Sequence, residues 1–204
     1  MLLEATDSQL ALIDYQPRLM AALFEGDAAL ANAVRLAKLA RLLGVPVWAT
    51  EQCPAKLGGS APDLAGLLDR AVPKTAFGGA AELAPLLNPP RPPQPAVRGG
   101  NARSLPRHLQ KPAEPPAPQR SSIVIAGCEA HVCLLQTALT LLDEEWDVWV
   151  VTDACASRTE RNRDAAYDRL AAAGAELATT EMVGFEWLRS AEHPHFRDWQ
   201  ALIK

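Results

Sequence analysis

No apolar run in this chain approaches the roughly 20 residues that cross a bilayer as a helix, so no membrane span is expected. No C-x-x-C pair occurs either. The four cysteines, Cys53, Cys128, Cys133 and Cys155, stand singly, and Cys128 and Cys133 lack the histidine–cysteine set of a zinc finger. Gly58-Gly59 and Gly78-Gly79 lack the strand-to-helix G-x-G-x-x-G context and read as turns rather than phosphate loops. Positive charge is not in excess: the formal net charge of −4 weighs against nucleic acid as a partner. The opening MLLEATDSQLALID has no basic stretch and carries Glu4 and Asp7, which makes a poor signal peptide. The expectation is a soluble cytoplasmic protein with free thiols.

What is present is an ordinary globular composition, 49% apolar and 22% charged, over 204 residues, enough for one domain with a substantial core. Leu10 to Asp14 (LALID) is an apolar run ending in an acid, as a buried strand would. Asp27 to Leu43 is rich in alanine and leucine and is followed by Gly44, so it reads as a capped helix. Val45 to Thr50 is the next strand. Pro62 to Leu68 makes a short helix, Arg70 to Pro73 a strand leading into Lys74, and Ala80 to Leu87 a helix.

The stretch SSIVIAGCEAHVCLLQTALTLLDEEWDVWVVTDA then gives strand, turn, helix, strand, with Cys133 opening the helix. A helix over Asn162 to Ala173, a strand over Ala175 to Thr180 and a helix from about Glu181 to Arg189 complete the pattern. Trp146 and Trp149 bracket a strand start and read as sheet or interface packing. Alternation of this kind predicts a three-layer, doubly wound α/β domain. Its six-stranded, mainly parallel sheet would have the order 3-2-1-4-5-6. The domain spans 1-204, with 190-204 as a C-terminal tail.

One segment departs from the pattern. Residues 85-120 hold eleven of the seventeen prolines and six basic residues (Arg91, Arg98, Arg103, Arg107, Lys111, Arg120) against the single acid Glu114. This composition predicts an extended, polyproline-like insertion without a core of its own, serving as a passive surface loop, an interface arm or a lid.

In the predicted strand order, strands 1 and 4 are neighbours and their C-terminal ends form the switch-point crevice. Asp14 ends strand 1, Lys74 follows strand 3 and Cys133 follows strand 4, so the three should converge. A cysteine at a helix start is a plausible nucleophile, because free N–H groups and a neighbouring cation favour the thiolate. Asp14 can accept its proton, and Lys74 can lower the thiol pKa and stabilise developing charge. The turn Gly127-Cys128-Glu129-Ala130-His131-Val132 leaves the backbone N–H groups of Glu129 and Cys133 as oxyanion donors. A buried cysteine packing as a small core residue is the bland alternative.

The blocks IVIAGCEAHVCLLQTALTLL, VWVVTDACASR and AAYDRLAAAGAELATTEMVGFEWL resemble the isochorismatase-like cysteine hydrolases, and LALIDYQPRL and VPKTAFGG are similar to that family's other two blocks. The E-A-H-V-C and T-T-E-M-V segments resemble most the isochorismatase domain-containing subgroup, and the likeness covers most of residues 9 to 189. The resemblance implies Cys133 as nucleophile, Asp14 as general base and Lys74 as electrostatic partner. It also implies a cis peptide at Cys128–Glu129 that turns the Glu129 N–H toward the oxyanion.

Nicotinamidases of that family carry an Asp-x-His…His metal site after strand 2. Here that region reads ATEQCPAKLGGSAPDL, without histidine, so neither a metal nor another cofactor is expected. His193 and His195 read as exposed tail residues. Gln52, Phe77 and His131 lie on loops where they could contact substrate, whereas Cys53 and Cys155 read as unreactive.

The function these residues imply is cleavage of a small-molecule amide or related C–N bond through an acyl-thioester on Cys133. The alternatives are vinyl-ether hydrolysis of the isochorismatase type, using Asp14 without the thiol, and a catalytically silent oligomeric or regulatory protein. Family members are usually homo-oligomers, so self-association is expected, with a small-molecule substrate and no nucleic-acid or membrane partner.

Overall fold

Central strands in this chain are buried along their whole length, and apolar but for Ser8, Gln9 and Ser122 at their starts, because both of their faces are covered. In β1 (Ser8–Ile13) and β4 (Ser122–Gly127) every residue is buried, the signature of a parallel sheet between two helical layers. The computed structural model describes residues 2–88 and 120–204. The proline-rich insertion expected over 85-120 therefore lies outside the described residues except at its ends. There Pro85 to Leu87 continue a helix rather than beginning an extended arm.

The elements follow the expected alternation: β1, α1 (Pro17–Met20), α2 (Gly26–Leu43), β2 (Val47–Gln52), α3 (Pro54–Leu57), α4 (Pro62–Ala65), β3 (Arg70–Lys74) and α5 (Ala80–Leu87). After β4 come a π-helical turn (Ala130–Leu134), α6 (Leu135–Asp143), β5 (Asp147–Val151), α7 (Glu160–Ala172), β6 (Glu176–Ala178), α8 (Thr180–Leu188) and α9 (Phe196–Ile203). The six strands lie in the order β3-β2-β1-β4-β5-β6, and every pair is parallel. Helices α2, α8 and α9 pack as one group, and α5, α6 and α7 as another.

Local chemistry explains the element ends. Helix α2 buries Ala29, Ala33, Leu36, Ala37 and Ala40, the spacing of one helical face, and stops at Gly44 with φ 67°. Strand β2 starts at Val47 rather than Val45, because Pro46 has no N–H to give to a ladder; its carbonyl instead accepts from Leu10 N.

Residues 190-204 are not a tail. Helix α9 carries Trp199, which is fully buried and seated against Gly184 of α8, where an added Cβ would come within 2.1 Å of the indole. Trp199 and glycine fit each other across the two helices, and that pairing holds the C-terminal segment down. His193 and His195, expected to be exposed, are partly buried, and His195 contacts Asp198 at 2.9 Å. No described helix is long and apolar enough to cross a membrane.

Candidate active site

The C-terminal ends of β1, β2, β3 and β4 bring together a buried ion pair and a thiol. Asp14 follows β1 directly in the left-handed region, φ 55°, and its N–H donates to the Thr50 carbonyl of β2. This turn sends the carboxylate along the sheet edge. Its Oδ1 accepts from Thr50 Oγ1 at 2.7 Å. Lys74 is the last residue of β3 and pairs in register with Gln52, the last of β2. The Lys74 ammonium stands 2.7 Å from Asp14 Oδ2, with both side chains wholly buried.

The acceptors around the lysine decide what this pair can do. Nζ donates to Gln52 Oε1 at 2.5 Å, to the Phe77 carbonyl at 2.8 Å and to the Ala76 carbonyl at 3.1 Å. With Asp14 Oδ2 these make four acceptors around an ammonium that has three N–H groups. The ammonium is thus shared between the Asp14 carboxylate, 2.7 Å away at Oδ2, and three neutral acceptors. A carboxylate so placed has a compensating positive charge beside it.

Cys133 completes the group. Its thiol lies close enough to Asp14 and Lys74 for both to act on its proton. It does not open the helix as expected from the sequence: the helical turn begins at Ala130, Cys133 is its fourth residue, and the α-helix proper starts at Leu135. The first turn is wide because Leu134 N reaches back to the Glu129 carbonyl, and such π turns recur at functional sites. The expected lowering of the thiol pKa is also reversed. Burial pushes the Cys133 thiol up to about 12; Asp14 pushes the same way, and Lys74 opposes both without overcoming them. The ligand-free thiol therefore keeps its proton, next to a carboxylate oxygen able to take it.

Glu129 and Cys133, the expected oxyanion donors, frame the turn. The Cys128–Glu129 peptide is cis, and no described residue accepts from the Glu129 N–H. Gln52 is engaged within the protein: besides accepting from Lys74, its Nε2 donates to the Thr75 carbonyl at 2.9 Å. Phe77 contributes its carbonyl to Lys74 and leaves its ring exposed. His131 is partly buried, with Nδ1 3.0 Å from Ser157 Oγ. Among the described residues no group of three or more His, Cys, Asp or Glu side chains is arranged to hold a metal ion.

Sequence reasoning missed Thr50, which orients Asp14, and Gly79, where a Cβ would meet Thr50 Cγ2 at 2.9 Å and Lys74 Cδ at 3.3 Å. It also missed Ser157 and Arg158, which hold the turn. A small residue just after VPKTAFG was the one available signal. The other three act through partners distant in the chain.

Comparison with known proteins agrees with this architecture. The isochorismatase domain model matches residues 8–182. Isochorismatase domain-containing protein 2 of Rattus norvegicus is 34% identical, over 97% of this chain and 81% of the rat protein. The MAR1 ribonuclease structure from Caenorhabditis elegans superposes with a TM-score of 0.81 at 27% identity, covering 100% of this chain and 92% of that one. YcaC of Escherichia coli, an octameric hydrolase of unknown specificity, superposes with a TM-score of 0.75 at 24% identity, covering 100% and 95%, a likeness of fold.

Proposed function

The chain belongs to the isochorismatase family, and from that premise we propose that it is a cysteine hydrolase cleaving a small-molecule amide or related C–N bond. The observation that carries the reading is the wholly buried Asp14–Lys74 ion pair with the Cys133 thiol beside it.

Asp14 takes the thiol proton as Cys133 Sγ adds to the carbonyl carbon, and the carbonyl electron pair moves to oxygen. The N–H groups of Glu129 and Cys133 hold that oxyanion. Collapse breaks the C–N bond, and Asp14 delivers its proton to the departing amine. The remaining thioester is cleaved by water: Asp14 removes a water proton, hydroxide adds, the acid leaves and the proton returns to sulfur. Lys74 keeps its charge throughout and offsets the negative charge that moves between Asp14, sulfur and the oxyanion. Its three neutral acceptors suit this constant role better than a proton-transfer role.

The raised thiol favours one second reading. If Cys133 stays protonated, Asp14 can act alone as the acid in vinyl-ether hydrolysis, with sulfur as a bystander. A panel of small amides, vinyl ethers and an RNA substrate separates these, monitored by turnover and by intact mass. An acyl adduct on Cys133 with amides, absent in Cys133→Ala, is the expected result. Turnover by folded Cys133→Ala would overturn the thiol mechanism and leave the Asp14 reading. RNA cleavage, the activity in the nematode protein's name, is not expected of a chain with a formal charge of −4. The same reading takes 1-204 as one self-associating domain in the cytoplasm, with a small molecule as substrate; sedimentation would test the assembly.

A further inference from the structure

We infer that Arg158 is a positioning residue for the oxyanion site, acting through Glu129; the assignment rests on the Cys133 mechanism proposed above. The turn that carries the Glu129 N–H is held by three successive residues from the segment after β5. Ala156 pairs with Cys128 as an isolated parallel bridge, gives its N–H to the Gly127 carbonyl at 3.4 Å and accepts from Ala130 N at 2.8 Å. Ser157 Oγ meets His131 Nδ1 at 3.0 Å. Arg158 binds the side chain of Glu129 itself, its Nε at 2.9 Å and its backbone N at 3.2 Å from Oε2.

The backbone contacts fix Cys128 and Ala130 on either side of Glu129. Of the contacts from 156–158, those of Arg158 are the ones that reach Glu129 itself, through a side chain that is 11% exposed while that of Arg158 is 61% exposed. The ion pair has a second consequence. Glu129 carries its negative charge on the same residue whose N–H must receive a developing oxyanion. Arg158 neutralises it, so that the Glu129 carboxylate does not oppose the charge forming at the site. An exposed arginine on a surface carboxylate would ordinarily contribute little. Here its partner's backbone is the functional group.

A reversible aldehyde tests this without knowledge of the substrate. Cys133 sulfur adds to the carbonyl carbon of propanal, the carbonyl electron pair moves to oxygen, and that oxygen takes the thiol proton, giving a hemithioacetal whose oxygen lies in the oxyanion position. Alkylation of Cys133 by iodoacetamide expels iodide, needs the thiolate and places no charge in that position. In Arg158→Ala, propanal affinity should fall about tenfold while the alkylation rate stays within about twofold of wild type. In the cycle with Glu129→Ala, the double variant should be no weaker for propanal than Glu129→Ala alone.

Unchanged propanal affinity in Arg158→Ala, or additive losses in the cycle, would overturn the assignment. Parallel loss of alkylation and propanal binding would overturn it too, showing that Arg158 merely keeps the turn folded. If the wild type alkylates at Cys133 but forms no hemithioacetal there, the acyl-transfer reading itself fails, and this assignment with it.

Discussion

Two turns at the same edge of the sheet hold a buried cysteine beside an aspartate, and only one of them has the makings of a site. After β4, Cys133 faces Asp14; after β5, Cys155 lies near Asp153. Burial pushes both thiols up to about 12. Their surroundings then diverge. The Cys155 thiol donates to the Val151 carbonyl at 3.1 Å, and Asp153 Oδ1 accepts from both the N–H and the hydroxyl of Thr180, at 2.7 and 2.9 Å. The second turn is internally satisfied, and its groups cap α8. In the first, the carboxylate is wholly buried, a lysine ammonium stands 2.7 Å from its Oδ2, and both groups act on the thiol. Burial beside an acid does not make a nucleophile. A carboxylate and a compensating cation that both reach the thiol are also required.

The sharpest break of this comparison is to remove each sulfur in turn. Cys133→Ala should lower turnover by more than about 10³-fold, while Cys155→Ala, once a substrate is found, should leave kcat/KM within about twofold. Equal effects would mean that the two turns do not differ as argued.

Next in size is the cation. Lys74→Ala leaves the Asp14 carboxylate buried and uncompensated, which should cost about 3–5 kcal/mol of stability, read from urea unfolding. Removing one ion partner at the surface, as in Arg41→Ala, should cost less than about 1 kcal/mol. A Lys74→Ala protein as stable as wild type would show that the buried pair contributes nothing to holding the edge together.

The third break is a pH dependence. A thiol pushed up to about 12 ionises only at high pH, so the iodoacetamide rate at Cys133 should rise close to tenfold per pH unit from about pH 7 to about pH 10 without levelling. Lysine opposes the upward shift, so Lys74→Ala should react more slowly at every pH in that range. Cys155, with its hydrogen engaged and no cation, should lag throughout. A plateau below about pH 9 would mean that the ligand-free thiol is already ionised and that Lys74 outweighs burial.

The strand order and the placement of Asp14, Lys74 and Cys133 at one edge were legible because they depend on local signals. LALID ends in an acid, the apolar run of β4 stops at Gly127, and alternating strands and helices admit few right-handed arrangements. Other features left no local trace. That Cys133 lies inside a π turn depends on Leu134 closing onto Glu129. That 190-204 ends in a packed helix depends on Trp199 finding a glycine on α8. Thr50 was an unremarked strand residue until β2 lay next to β1.

By itself, then, the sequence determined the class of fold, the register of apolar and polar residues along each strand, and which reactive side chains would stand at the carboxyl edge. Periodicity and strand chemistry are properties of neighbouring residues, so they survive in a linear chain. Only the tertiary structure decided the direction in which the Cys133 pKa moves and the acceptors gathered round Lys74, because burial and acceptor geometry are sums over residues far apart in sequence. The lysine expected to draw the thiol down is outweighed by the low-dielectric packing that surrounds them both.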